Sequence, residues 1–441
     1  MKKIPRLFII YTIRGDFLNI HFKTLGCKVN QYETQAMKEA LLKCGHTALD
    51  KIPADAVIIN SCTVTAESDR KVRQLLHRTK KDNPGALILL TGCMVQAFPD
   101  KCKELTDADI IIGNRNPQAI INAISNYNKR VFEVIPHKNG DVYSSLNITG
   151  FSERTRAFMK IEDGCNRYCS YCIIPKARGF VRSRAIDDIK AEAKALSSNG
   201  YVEIVLVGIN LSAYGLGTEN NICDAVEAVC SVEDIKRVRL GSLEPDHITD
   251  EMLIRLSKQE KFCPQFHLSL QSGCDETLKR MNRHYTSEFY YDLVCRIRRV
   301  FKNASITTDI MVGFAGETED EFQKSVDFAK KVGFARAHIF VYSRRAGTSA
   351  DLMPNQISKA DQSERAKRMS AVTKASEKEF LLSQVGGVFP VLFEAAKNGI
   401  SEGYTPNYTK VYVNTDNDLK GQIVNVKITK ANDESVIGEI I

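Results

Sequence analysis

The sequence predicts an α/β protein in three folded parts: a small parallel α/β domain, a (β/α)6 partial barrel and a small antiparallel β-barrel. Three observations carry this. Strand and helix patterns alternate from Asn19 to about Tyr127, as in a parallel sheet with crossover helices. A second alternating series runs from Arg156 to about Tyr342 and holds six strand–helix units, which suggests a barrel or part of one. After Gly386-Gly387 the pattern changes to short alternating strands, which fits a small antiparallel barrel.

In the first series, strands are expected at 19–24, 55–59, 86–90 and 109–113. Helices are expected near 31–43, 67–81 and 117–126. Residues 128–150 are polar and irregular, with Pro136, Asn139 and Gly140, and read as a linker. In the second series the strands are 156–161, 201–207, 237–240, 265–270, 305–312 and 336–341, with helices such as 187–198, 286–301 and 318–331 between them. A charged helical connector follows at 361–384, then strands at 388–394, 409–414, 421–428 and 435–441. The expected division is therefore 1–18, an extra N-terminal segment with 7–13 as a competing edge strand; 19–127; 128–150; 151–360; 361–384; and 385–441.

A chain of 441 residues with 43% hydrophobic content supports several cores. The net charge of +8 permits a polyanionic partner without requiring one. No stretch is long enough to span a membrane, and the apolar run at 7–13 is too short for a secretory signal. Thirteen cysteines in so long a chain do not make a disulfide scaffold.

The cysteines carry the chemistry. Cys165, Cys169 and Cys172 stand at C-x3-C-x2-C spacing. Three thiolates can hold three irons of a [4Fe–4S] cluster and leave the fourth open. The alternative is a zinc knuckle, but structural zinc usually takes paired C-x2-C ligands, and the nearest histidine downstream is His247. The loop follows the first strand of the second series, which places it on the barrel face where chemistry is found. Cys27, Cys62 and Cys93 each sit just past a strand of the first series, at the sheet edge where ligands bind. A buried inert cysteine is the alternative for any one of them. Cys44, Cys102, Cys223, Cys230, Cys263, Cys274 and Cys295 read as packing residues. Cluster ligation needs reduced thiols and so favours a cytoplasmic setting.

These motifs resemble the methylthiotransferase family of radical S-adenosylmethionine (SAM) enzymes, and the resemblance covers nearly everything after residue 18. Thr24-Leu-Gly-Cys27-Lys-Val-Asn-Gln-Tyr-Glu33, Asn60-Ser-Cys62-Thr-Val-Thr65 and Thr91-Gly-Cys93-Met-Val-Gln96 are similar to the family's three N-terminal signatures. The resemblance implies a radical SAM core and an OB-like C-terminal TRAM domain. It also implies two [4Fe–4S] clusters, one on Cys165, Cys169 and Cys172 and an auxiliary one on Cys27, Cys62 and Cys93. The loops Cys27-Lys-Val-Asn and Thr63-Val-Thr look like the subgroup that converts N6-threonylcarbamoyladenosine at position 37 of tRNA to its 2-methylthio form. The same chemistry on isopentenyladenosine, or on a ribosomal protein side chain, is the alternative. A non-catalytic Fe–S protein that binds RNA or carries electrons is an alternative of another class. Two cysteine trios, each short of a fourth ligand, argue against it.

Further residues follow from position. Tyr171, Gly208, Asn210, Glu244, Gln271, Gly313 and Glu317 lie in loops on one barrel face and are candidates for SAM binding, with Arg182 for its carboxylate or an RNA phosphate. Arg70, Lys71, Arg73 and Arg78 belong to a run of six Lys/Arg in twelve residues that either binds RNA or forms a solvated helix face. Lys176, Arg178, Arg182 and Arg184 form a second basic group beside the cysteine loop. Tyr404 and Tyr408 are candidates for stacking on unpaired bases. The last part is acidic, with five lysines against seven Asp/Glu over 383–441, so shape and stacking rather than charge must serve there. The expected partners are a tRNA anticodon stem-loop and a flavodoxin or ferredoxin as electron donor. A monomer is expected, with no membrane association.

Overall fold

A computed structural model describes residues 17–127, 129–144, 146–151 and 154–441. The competing strand at 7–13 lies outside them. The chain divides into two compact units. Of the described residues, the first holds those from 17 to 63, 67–136 and 144–146; the second holds 64–66, 137–143 and 147–441. Leu18, placed in the N-terminal extension by sequence, is packed into the first unit's core.

In the first unit β1 (Asn19–Thr24), α1 (Lys28–Lys43), β2 (Thr47–Leu49), β3 (Ala56–Ser61), α2 (Ala66–Asp82), β4 (Leu87–Gly92), α3 (Cys93–Ala97), α4 (Pro99–Lys103), β5 (Ile110–Ile112), α5 (Pro117–Ser125) and β6 (Val131–Glu133) follow in order. The strands form one parallel sheet, β2-β1-β3-β4-β5-β6. Every residue of β3 and β4 is buried. These strands therefore read as continuous apolar runs rather than alternating ones. Two strands were not expected. β2 is a three-residue edge, and β6 falls within 128–150, so that segment is not simply a linker: its start pairs with β5.

The second unit continues with β7 (Arg156–Lys160), β8 (Glu162–Asp163), α6 (Ile174–Arg178), β9 (Arg182–Ser183), α7 (Ile186–Ser198), β10 (Glu203–Val207), α8 (Ile222–Cys230), β11 (Arg237–Leu240), β12 (Ser242–Leu243), α9 (Asp250–Ser257), β13 (Gln265–Leu268), α10 (Asp275–Arg280), α11 (Ser287–Val300), β14 (Ser305–Val312), α12 (Glu319–Val332), β15 (Arg336–Val341) and α13 (Lys359–Ser383). All six expected barrel strands are present and parallel. They form sheets β7-β10-β11 and β12-β13-β14-β15, joined by a bridge from Val238 to Phe262. Among the described residues no strand pairs with the free edges of β15 and β7, so the barrel is open along one seam. β16 (Val388–Lys397), β17 (Ile400–Tyr404), β18 (Lys410–Asn414), β19 (Ile423–Ala431) and β20 (Val436–Ile440) close a five-stranded barrel around Val391, Phe393, Val411, Val426 and Val436. β17 was not expected from sequence.

The small barrel is seated on the amino ends of the large barrel's strands. Arg156, Glu203 and Arg237 are the first residues of β7, β10 and β11. Buried Glu203 is met by Arg239 at 3.0 Å, Arg237 at 3.5 Å and Arg156 at 3.8 Å. Arg156 also pairs with Glu394 at 2.5 Å. The Tyr404 and Tyr408 rings stack on each other at 4.8 Å, and Arg156 lies over both. Arg239 Nη1 donates to the Pro406 carbonyl at 2.8 Å. Removing one partner of a buried ion pair costs about 3–5 kcal/mol because the remaining charge stays desolvated. Glu203→Ala leaves three arginines without their shared carboxylate. It should lower the thermal midpoint of the second unit and raise protease sensitivity around 384–409, measured by calorimetry and limited proteolysis.

Candidate active site

Cys27 follows β1 and caps α1, Cys62 follows β3 directly, and Cys93 follows β4 directly, so three neighbouring parallel strands deliver three thiols to one sheet edge. Asn30 joins them. Its Nδ2 donates to the carbonyls of Leu25 (2.8 Å) and Ser61 (3.0 Å), which ties the first two loops together. Its Oδ1 lies 3.9 Å from both Cys27 Sγ and Cys93 Sγ, so those sulfurs are no more than twice that distance apart. The Cys62 sulfur is 3.1 Å from the point a Cβ on Gly26 would occupy, next to Cys27. Gly92 is required for the approach: its φ is +97°, and a side chain there would meet Asn60 Oδ1 at 2.4 Å.

Cys165, Cys169 and Cys172 lie in the loop beyond β8, at the carboxyl end of the large barrel. Asp163 anchors its entry. Lys160, Arg182 and Arg178 approach Asp163 Oδ2 at 2.7, 3.2 and 3.6 Å, all buried. Burial alone would raise the Asp163 pKa, but these cations outweigh it and hold the carboxyl well below its usual range. The other oxygen accepts from the Gly164 amide at 2.9 Å, and the Cys165 amide donates to Gly179. The far side of the loop is held by residues 280–283. Ser170 bonds to the Arg280 and Met281 carbonyls, Asn282 to the Tyr168 carbonyl, and Arg283 Nη1 to Cys169 Sγ at 3.3 Å. Burial pushes the Cys165 and Cys172 thiols up to about 12, with Cys169 opposing ionisation of both, so the three sulfurs lie within electrostatic reach of one another.

A cavity of about 220 Å³ opens beside Cys172, lined in part by Tyr171, Ile173, Gln271, Asp309, Met311 and Phe340. Tyr171 and Gln271 thus border the cysteine loop as expected from their positions. Asn210 is buried. Its amide donates to Glu162 Oε2 at 2.7 Å, and its side-chain oxygen has no protein hydrogen-bond partner. Glu244 accepts from Arg283.

Other expectations are corrected. Gly208 makes room for Glu162, whose Oε2 lies 2.6 Å from where a Cβ would be; burial raises Glu162 to about 8. Gly313 packs against Gln362 of α13, and Glu317 is paired with Arg365 of α13 at 2.8 Å. Both serve the connector rather than the cavity. Arg182 is spent on Asp163 and the carbonyls of Arg178 and Phe180. Arg178 and Arg184 are buried, the first near Asp163, the second bonded to Glu192 at 2.9 Å, so neither is open to an RNA phosphate. Tyr404 and Tyr408 face the amino ends of the barrel strands, opposite the cysteine loop, and their rings are occupied by each other and by arginine. On α2 the charges are exposed; Arg70 pairs with Glu67 and Arg78 with Asp82, while Lys71 and Arg73 project to solvent. Sequence reasoning missed Asn30, Asp163, Glu162 and Arg283. The acidic pair directly ahead of the cysteine motif was the available signal for two of them.

Among the described residues no group of three His, Cys, Asp or Glu is arranged to hold a single metal ion. The donor set suits a larger, thiophilic group: three convergent thiols in each trio, none of them in a disulfide, an amide beside one trio and a guanidinium beside the other.

Comparison with known proteins agrees. The radical SAM superfamily profile matches residues 159–329, the uncharacterized protein family UPF0004 matches 19–113, and the TRAM domain matches 382–441. The threonylcarbamoyladenosine tRNA methylthiotransferase MtaB of Bacillus subtilis is 37% identical, covering 93% of this chain and 94% of the relative. The chain belongs to the radical SAM methylthiotransferases. The enzyme of that name from Thermotoga maritima is 34% identical over 95% of this chain and 96% of the relative. A tRNA-2-methylthio-N(6)-dimethylallyladenosine synthase of Clostridium botulinum is 35% identical over 97% of each chain. Among solved structures, the radical SAM methyltransferase TsrM of Kitasatospora setae shares the fold, with a TM-score of 0.56 and 12% identity over 87% of this chain and 80% of the other. As a radical SAM methylthiotransferase the chain is an enzyme that works with a [4Fe–4S] cluster and SAM. Its described helices include none long and apolar enough to cross a membrane.

Asp163→Asn keeps the bulk of the side chain but removes the charge that three buried cations share. The variant should lose about 3–5 kcal/mol locally. After anaerobic reconstitution it should retain less iron per chain than the parent, read by iron and sulfide analysis.

Proposed function

We propose that this methylthiotransferase places a CH3–S group on C2 of N6-threonylcarbamoyladenosine at position 37 of tRNA. The observation that carries the reading is the pair of thiol trios, one on a parallel sheet edge and one at the carboxyl end of a barrel. Cys165, Cys169 and Cys172 would hold the radical SAM cluster, and Cys27, Cys62 and Cys93 an auxiliary [4Fe–4S] cluster. When bound, these clusters supply the one-electron and sulfur chemistry that an unactivated C2–H bond requires and no side-chain base can provide. The protein's own part is placement. Tyr171 offers an aromatic wall beside Cys172, Gln271 and the free Asn210 oxygen offer polar contacts to SAM, and Ile173, Met311 and Phe340 exclude water from the cavity. Holding reactants in line is worth roughly 7–11 kcal/mol of barrier in favourable cases.

The threonylcarbamoyl substrate is favoured by the loop Cys27-Lys-Val-Asn and by relatives of that name. Isopentenyladenosine is the second reading, favoured by the Clostridium relative. RNA contact is assigned to the exposed α2 face with Lys71 and Arg73, where phosphate neutralisation would be salt-dependent. The division 19–127, 151–360 and 385–441 is kept as the functional one. A cytoplasmic site of action and a low-potential donor such as flavodoxin or ferredoxin complete the proposal.

Nucleoside mass spectrometry of tRNA from a deletion strain tests the substrate. The 2-methylthio derivative of threonylcarbamoyladenosine should vanish, while that of isopentenyladenosine stays. The reverse pattern would transfer the assignment to the second reading.

The trios should also separate. Cys165→Ala, Cys169→Ala or Cys172→Ala should abolish 5′-deoxyadenosine production from SAM. Cys27→Ala, Cys62→Ala or Cys93→Ala should leave part of it and stop methylthio transfer. Equal loss of SAM cleavage in both sets would refute the division of labour.

A further inference from the structure

Arg283 is a buried cation in direct contact with one of the barrel cysteines. Its side chain is 3% exposed. Nε donates to Tyr285 Oη at 3.1 Å, Nη1 to Cys169 Sγ at 3.3 Å, and Nη2 to Glu244 and to the Ser269 carbonyl. Tyr285 Oη in turn donates to the Ser269 and Leu270 carbonyls, so the guanidinium plane is fixed from two sides. Nε and both Nη atoms are engaged, and one of the acceptors is the Cys169 sulfur. Glu244, its counter-charge, is more exposed than the arginine, at 16% against 3%, so water screens the acid more than the cation.

We propose that Arg283 sets the reduction potential of the cluster on Cys165, Cys169 and Cys172, by directing one N–H and a buried positive charge at the Cys169 sulfur. The inference rests on the ligand assignment made above. One-electron reduction adds one negative charge to the cluster and its thiolates. A cation and a hydrogen bond at a ligating sulfur stabilise that added charge, which raises the potential. The electron comes from an external low-potential one-electron donor; no bond is made or broken. Glu244 acts in the opposite sense by offsetting the arginine. Arg283 is thus a positioning residue for charge, and the two side chains should move the potential in opposite directions.

The test uses the full chain, reconstituted anaerobically and without SAM, with dithionite and mediator dyes in an EPR-monitored redox titration. A Cys27→Ala background leaves the signal of the barrel cluster alone. Arg283→Gln should lower the midpoint enough to cut the reduced-to-oxidised ratio at fixed poise about tenfold, which for a one-electron couple is about 59 mV. Arg283→Lys, which keeps the charge but not the planar fork, should fall between. Glu244→Gln should shift the midpoint upward. Full iron content with unmoved midpoints in Arg283→Gln and Glu244→Gln, or shifts of one sign in both, overturns the proposal. Should Arg283→Gln fail to hold iron, the sign of the Glu244→Gln shift decides: upward supports the proposal, downward or absent overturns it. Failure of the ligand assignment is distinguishable, because Cys169→Ala would then keep the full EPR signal.

Discussion

A carboxylate removed from water must find cations, and this chain uses that demand at both ends of one barrel. At the carboxyl end Asp163 gathers Lys160, Arg178 and Arg182, and the backbone it belongs to runs directly into Cys165. At the amino end Glu203 gathers Arg156, Arg237 and Arg239, and those arginines hold the C-terminal barrel through Tyr404, Pro406 and Tyr408. Neither cluster touches substrate in the proposed chemistry. Each converts a costly burial into a fixed geometry, because the alternative arrangements leave a charge dry and unpaired.

Parallel strands supply the second constraint. Every loop at the carboxyl edge of a parallel sheet emerges on the same side, so residues far apart in sequence arrive together. In the first unit this brings Cys27, Cys62 and Cys93 to one edge, with Asn30 between two of the loops. In the second it gathers Tyr171, Asn210, Glu244 and Gln271 at the end of the barrel that carries the cysteine loop. The chemistry of thiol clusters asks for convergence without a fourth protein ligand, and strand direction provides it.

Much of this was legible because it was local. The cysteine spacing, the six barrel strands and the placement of each thiol just past a strand depend on short stretches of chain. The losses were of two kinds. Small elements hid: the hairpin leading into Ile400–Tyr404 turns on Asn398-Gly399, both at positive φ, a turn signal that was present and passed over. β2 and β6 are three residues long and too short to show a period. The larger loss concerned charge. Arg178, Arg182 and Arg184 are basic residues beside a catalytic motif and look like phosphate ligands on paper. Whether an arginine is free depends on which carboxylate folds against it. Glu192 meets Arg184 from within α7, eight residues further on, and Asp163 reaches Arg178 only because the intervening loop doubles back. The ring contacts of Tyr404 and Tyr408 were hidden for the same reason: Arg156 and Arg239 come from the other barrel.

Among the described residues no strand bridges β15 and β7, and this bears on how a substrate as large as the proposed tRNA would be served. A sealed barrel admits only what fits through its mouth, which suits metabolites. Here the wall stops short, and β15 leaves His338 and Phe340 uncovered along the gap. On the proposed reading, a nucleotide still joined to its neighbours on both sides would approach edgewise, much as a thread enters a slotted ring, with no need to find a free end.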